Sequence, residues 1–123
     1  IKTIDYLMIS HFDSDHSKNA VDIIENLKVK NIIISKQTEY SQEFENTMKA
    51  VKRKNVNIII VKAGDIIKID REISIRILWP GDKAIQENPL NNNSIVAKLE
   101  YKNFSMLFTG DIEKIAEEQI LEN

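Results

Sequence analysis

Short, continuous apolar runs alternate along the chain with segments whose apolar residues recur every three or four positions. Ile4-Asp5-Tyr6-Leu7-Met8-Ile9 is one such run, bounded by a polar cluster from Ser10 to Asn19, and it predicts a buried strand running into a loop. From Ala20 to Leu27 the residues Ala20, Val21, Ile23, Ile24 and Leu27 form a helical stripe, with Ser17 as the candidate N-cap. Asn31-Ile32-Ile33-Ile34-Ser35 predicts a second strand, apolar throughout as strands buried on both faces are. Ser41 to Lys54 predicts a second helix, carrying Phe44, Met48 and Val51 at spacings of four and three. Asn57 to Lys62 completes a β-α-β-α-β half, the alternation that builds a layered α/β sheet.

The second half reads differently. Asp65 to Ile69 and Ile73 to Leu78 alternate apolar and polar residues and predict strands, and Trp79-Pro80-Gly81-Asp82 predicts a stop and turn. Lys83 to Asn93 is polar and predicts a loop. Ser94 to Tyr101 and Phe104 to Thr109 predict a hairpin around Lys102-Asn103, because Asn tolerates the positive φ of tight turns. Glu113 to Leu121 predicts a closing helix. With no repeat, linker or low-complexity tract, residues 1–123 form a single unit.

Composition narrows the function classes. Seventeen Lys and Arg against 19 Asp and Glu give a formal charge of −2, which excludes a strongly basic nucleic-acid binder. Zero cysteines exclude disulfides, thiolate metal ligands and cysteine nucleophiles. The three glycines, Gly64, Gly81 and Gly110, stand too far apart to build a phosphate-cradling loop. No apolar run reaches the roughly 18 residues of a membrane span.

The candidate chemistry is concentrated in Ser10-His11-Phe12-Asp13-Ser14-Asp15-His16, which holds both histidines of the chain with two aspartates between them. Imidazole nitrogen and carboxylate oxygen suit zinc or another divalent metal. Any one of these residues alone is ordinary loop punctuation, with Asp15 a helix cap. All four together at the end of an apolar strand favour a metal, whose charge offsets the repulsion between the carboxylates. About a hundred residues on, Phe108-Thr109-Gly110-Asp111 ends a strand and opens a helix. Asp111 serves there either as an N-cap or as a strand-end functional carboxylate.

Taken together, His-x-Asp-x-Asp-His and the distant Thr-Gly-Asp resemble the metallo-β-lactamase fold superfamily, with Asp13 where a second His usually stands. Asn91-Asn92-Asn93-Ser94-Ile95-Val96, Leu107-Phe108-Thr109-Gly110-Asp111-Ile112-Glu113, Ile77-Leu78-Trp79-Pro80 and Ala63-Gly64-Asp65 are similar to the hydrolase-like domain of ComEC-type DNA-internalisation competence proteins. The resemblance implies an α/β fold of the αββα type, here an incomplete portion with a mixed sheet and helices packed on one face. It implies two divalent ions (Zn or Mn), with His11 and Asp13 on one, Asp15 and His16 on the other, and Asp111 bridging. Asp15 would also orient the attacking water. The middle histidine ligand of the superfamily has no counterpart, and Asn91 to Ser94 occupy its region.

The family's glycine-rich first strands and final His segment would lie outside residues 1–123, so exposed sheet edges and self-association through them are expected. The further implications are a bacterial source, a soluble domain of a cell-membrane protein, and DNA as the parent's partner. The metal-bearing motif leaves two other readings open: a non-catalytic docking module of a membrane transporter, and a metallo-hydrolase of small esters or lactones. Lys49, Lys52, Arg53 and Lys54 offer phosphate contacts or simply match the dipole of a helix C-terminus.

Overall fold

A computed structural model describes residues 2–12, 14–37, 41–82, 86, 92–110 and 114–122. The elements are β1 (Thr3–Met8), α1 (Ser14–Asn26), β2 (Lys28–Ser35), α2 (Gln42–Arg53), β3 (Asn57–Val61), β4 (Ile66–Lys68), β5 (Ile73–Trp79), β6 (Val96–Tyr101), β7 (Phe104–Phe108) and α3 (Lys114–Glu122).

The strands divide between two sheets. β1, β2 and β3 form a parallel sheet in that order, and β4 to β7 form an antiparallel meander. The expected mixture of strand directions is therefore real but segregated, each sheet having a single sense. The parallel pairings join residues about 25 positions apart, so local patterning does not reveal where one sheet ends and the next begins.

The two faces of β2 explain its unbroken isoleucines. Ile32 and Ile34 pack under the helices with Ala20 and Ile24 of α1 and Ala50 and Val51 of α2. Ile33 faces the other way, against Val61, Ile77 and Ala97, where the sheets meet. Full burial of each such side chain contributes about 2 kcal/mol. The outer face of the second sheet is covered by α3, whose Ala116 and Ile120 meet Trp79, Leu78 and Val96. The layers are thus helices, parallel sheet, antiparallel sheet and helix, which is the expected αββα arrangement. The helices α1 and α2 share one face of the parallel sheet, while α3 lies across the second sheet.

Polar groups fix the register. Asn31 donates to the Asp5 carbonyl at 2.9 Å and accepts from Asn57 at 2.9 Å, linking all three parallel strands. At the other end of β3, the turn Ala63-Gly64-Asp65 carries the chain into the second sheet. Ala63 and Gly64 donate to the carbonyls of Pro80 and Ile77, and Ile77 donates back to that of Asp65. Gly64 has φ +98°, a conformation that favours glycine.

Helix α2 matches its sequence signals closely. The hydroxyl of Ser41 caps it by accepting the Phe44 N–H, and Glu43 and Glu45 sit in its first turn. At its end Asn55 adopts φ +56° while Val56 donates to Val51 and Asn55 to Lys52, a Schellman closure.

Three local expectations are corrected. Helix α1 begins at Ser14, so Ser17 is inside it and is not its N-cap, and the polar cluster is loop only as far as Phe12 among the described residues. Ser and Asp favour helix N-termini, so a polar stretch there does not exclude helix. In the β6–β7 turn the positive φ (53°) belongs to Lys102, not Asn103. The register shift between Ile77 and Trp79 breaks the alternation of β5, turning both Leu78 and Trp79 onto the α3 side. Most of the predicted loop from Lys83 to Asn93 lies outside the described residues.

Candidate functional site at the strand ends

Parallel strands entering the layer from one side put all their following residues at the other. His11 follows β1, Lys36 follows β2 and Lys62 follows β3, so the three stand at the carboxyl end of the sheet. Such ends are where open α/β sheets place ligands. His11 is 3% exposed, and its Nδ1 lies 2.8 Å from the Ser10 hydroxyl. A partner on one ring nitrogen fixes the ring's orientation, the usual way a ligating imidazole is held. The neighbouring Phe12 is buried in the helix–sheet core, edge-on to Phe44 of α2 with ring centroids 5.1 Å apart. It anchors the turn that carries the motif.

Asp15 and His16 are the second and third residues of α1, so the backbone sets them on a helix N-terminus rather than on a free loop. Asp13 and Asp111 lie outside the described residues. Their neighbours, however, converge on one segment. Ile95 donates its backbone N–H to the Ser10 carbonyl at 2.8 Å. On its other side, Gly110 (φ +58°) sits so close that a Cβ there would lie 2.6 Å from Ser94 Oγ and 3.1 Å from the Ile95 carbonyl. Residues 94–95 are thus held between the strand end preceding His11 and the corner preceding Asp111, two stretches about a hundred positions apart in sequence.

That segment is itself pinned. Asn92, Asn93 and Ser94 are all buried. The Trp79 Nε1–H donates to the Asn92 carbonyl at 2.6 Å, and the Ser35 hydroxyl donates to the Asn93 carbonyl at 3.3 Å. Sequence reasoning placed the asparagines in the site's region but did not assign Trp79 or Ser35 a role there. The available signal was a tryptophan at the close of a strand, since a buried indole N–H requires an acceptor.

The residue types fit a divalent cation: two imidazoles and three carboxylates occur in the two motifs, and the one imidazole whose surroundings are described is buried and held at its ring nitrogen. A sequence model of the metallo-beta-lactamase superfamily matches residues 1–123. The chain belongs to this superfamily. It is 31% identical over 121 residues to ComE operon protein 3 of Bacillus subtilis (strain 168), covering 98% of this chain and 15% of that protein. Among solved structures it resembles CmlA, a diiron beta-hydroxylase from Streptomyces venezuelae, with a TM-score of 0.64 and 15% identity. That match covers 99% of this chain and 24% of CmlA, and at such identity it shows the metallo-beta-lactamase fold alone.

The basic run stands elsewhere. Lys52 and Arg53 end α2 and Lys54 caps it, just ahead of β3, at the sheet end opposite His11. Arg53 pairs with Glu25 of α1. Since β2 spans about 23 Å at the usual rise per residue, these cations complement the helix terminus and do not line the candidate site.

The tight seat of Gly110 yields a stability test. Gly110→Ala is expected to cost about 2–3 kcal/mol in denaturant unfolding, combining backbone strain with displacement of Ser94. Gly64→Ala, at φ +98° with nothing within 4 Å, should cost only the strain, about 1 kcal/mol. A loss at Gly110→Ala no larger than about 1 kcal/mol, the strain of a left-handed residue alone, would contradict the close packing of the two strand-end segments.

Proposed function

We propose that this domain is a metal-dependent hydrolase of nucleic-acid phosphodiesters, acting within a bacterial DNA-uptake protein of the cell membrane. The observation that supports the reading is the approach of the Ser10 carbonyl and of Gly110 to residues 94–95, from chain segments about a hundred positions apart. The likeness to a ComE operon protein supports the DNA-uptake setting.

In this reading His11 and Asp13 would hold one divalent cation, zinc or manganese, Asp15 and His16 would hold a second, and Asp111 would contribute to the same site. Bound cations of this kind lower the pKa of a coordinated water and polarise the phosphoryl oxygen under attack. The chain's own residues prepare that chemistry. Asp15 would orient the attacking water, Ser10 holds the His11 ring, and the buried Phe12 anchors the segment that leads into α1. The asparagine–serine segment, fastened by Trp79 and Ser35, closes the site's wall and supplies neutral oxygen atoms in place of a further imidazole.

β7 extends the reading to assembly. It is an edge strand whose Phe104, Met106, Leu107 and Phe108 are all exposed, with Phe104, Met106 and Phe108 on the face that Tyr101, Leu99 and Ala97 share. An open apolar edge pairs readily, which supports self-association through β7 or pairing with other parts of the parent protein.

Two experiments test these statements. In titrations with Zn or Mn, wild-type protein should bind near-stoichiometrically, with binding lost in His16→Ala and in Asp111→Ala, and the parent protein should cleave single-stranded or duplex DNA unless it carries either substitution. Binding that survives either substitution would separate the motifs, and a parent protein that binds metal without cleaving DNA would remove the enzyme reading. In sedimentation velocity the weight-average coefficient should rise with concentration and fall back in Leu107→Lys. A concentration-independent monomer would refute self-association.

A further inference from the structure

Next to the candidate metal centre, the carboxyl ends of β2 and β3 open a cavity of about 360 Å³, within the range of small-molecule sites. Lys36 stands on one wall and Lys62 on another, with Ile60, Pro80, Gly81 and Asn93 between them. Lys36 is exposed and makes no ion pair among the described residues.

The cavity's carboxylates are engaged. Asp82 meets the Lys62 ammonium at 3.4 Å, and Asp65 accepts the Lys62 backbone N–H at 2.9 Å. Of the two lysines in the lining, Lys36 is the one with no ion pair among the described residues. Ile60 is 60% exposed, which leaves an apolar wall facing solvent inside a polar rim. Asn93 joins the cavity to the candidate centre, since its carbonyl takes the Ser35 hydroxyl and the chain two residues on is tied to Ser10.

A cationic group, an apolar wall and an amide-bearing segment in one concavity match the parts of a nucleotide: a phosphate for the ammonium, and a base that loses water against the isoleucine. We propose that this cavity holds one nucleotide unit of a nucleic-acid strand, its phosphate on Lys36 and its base against Ile60 and Pro80, beside the phosphodiester under attack. The inference rests on the phosphodiester reading and sharpens it, because a neutral ester or lactone would have no use for Lys36.

The test uses the intact chain in chelator-containing buffer, so that phosphate cannot bind through a metal. Thymidine 5′-monophosphate, thymidine and inorganic phosphate are titrated separately, followed by amide shifts around Lys36 and Ile60. The nucleotide should bind at least tenfold more tightly than either part. Lys36→Gln should weaken the nucleotide by about tenfold, the size of a lost charge-assisted hydrogen bond, and leave thymidine unchanged. Ile60→Ser should weaken thymidine and the nucleotide and leave phosphate unchanged.

Both positions are exposed, so unaltered melting temperatures are expected to accompany these changes. No saturable nucleotide binding, or affinities indifferent to both substitutions, would overturn the proposal. Metal-dependent DNA cleavage by the parent protein, measured in parallel, keeps the two readings apart. Cleavage with indifferent nucleotide binding removes the cavity alone, and discriminating nucleotide binding without cleavage removes the hydrolase reading alone.

Discussion

The hydrogen bond from the Ile95 N–H to the Ser10 carbonyl, 2.8 Å long, joins the parallel sheet's first strand end to the entry of β6. Without it the sandwich could still bury its isoleucines, because apolar contact between sheets is not directional. What the hydrogen bond adds is alignment. It fixes where the second sheet's strand ends stand relative to His11, and the seat of Gly110 against Ser94 then fixes where the chain turns into α3. Chemistry that draws on both ends of the sequence requires such a tie, since a displacement of an ångström is enough to disable a catalytic constellation.

The surrounding structure distributes polar and apolar forces accordingly. Parallel strands buried on both faces supply a rigid platform, and each face has its own cluster. The carboxyl end of that platform collects the buried polar residues His11, Ser35, Asn92, Asn93 and Ser94. Buried polar groups are tolerated when they are hydrogen-bonded, and here Trp79 to Asn92 and Ser35 to Asn93 run between separate segments, while Ser10 holds its neighbour His11. The opposite end carries the exposed Lys28, Lys30 and Lys54, of which Lys30 pairs with Asp5 at 3.3 Å. The molecule is therefore polarised along its strands.

Much of this is written locally in the sequence. Ile32-Ile33-Ile34 announces a strand covered on both faces, and Ser41 with Glu43 and Glu45 announces a helix start, because burial periodicity and capping act over a few residues. The first turn of α1 was hidden for the same reason. Ser14 to Asn19 has no apolar stripe, and its helicity comes from the packed face that begins at Ala20. The division into two sheets, the bulge that turns Trp79 outward and the joining of Ser10 to Ile95 all depend on contacts tens of residues apart. No local pattern encodes them. Family likeness, carried by the histidine–aspartate and Thr-Gly-Asp motifs, implies the αββα layering and a shared site for the two motifs, but neither the bulge nor the Ser10–Ile95 hydrogen bond.

The central claim is that the two motifs form one metal site across residues 94–95. Amide hydrogen exchange at Ile95, followed by NMR with and without zinc, tests it most directly. The account predicts protection comparable to the central strand β2 in the metal-free protein and a further slowing of exchange when zinc is bound. Exchange of the Ile95 amide at loop rates, or protection that zinc leaves unchanged while binding at His16, would contradict it.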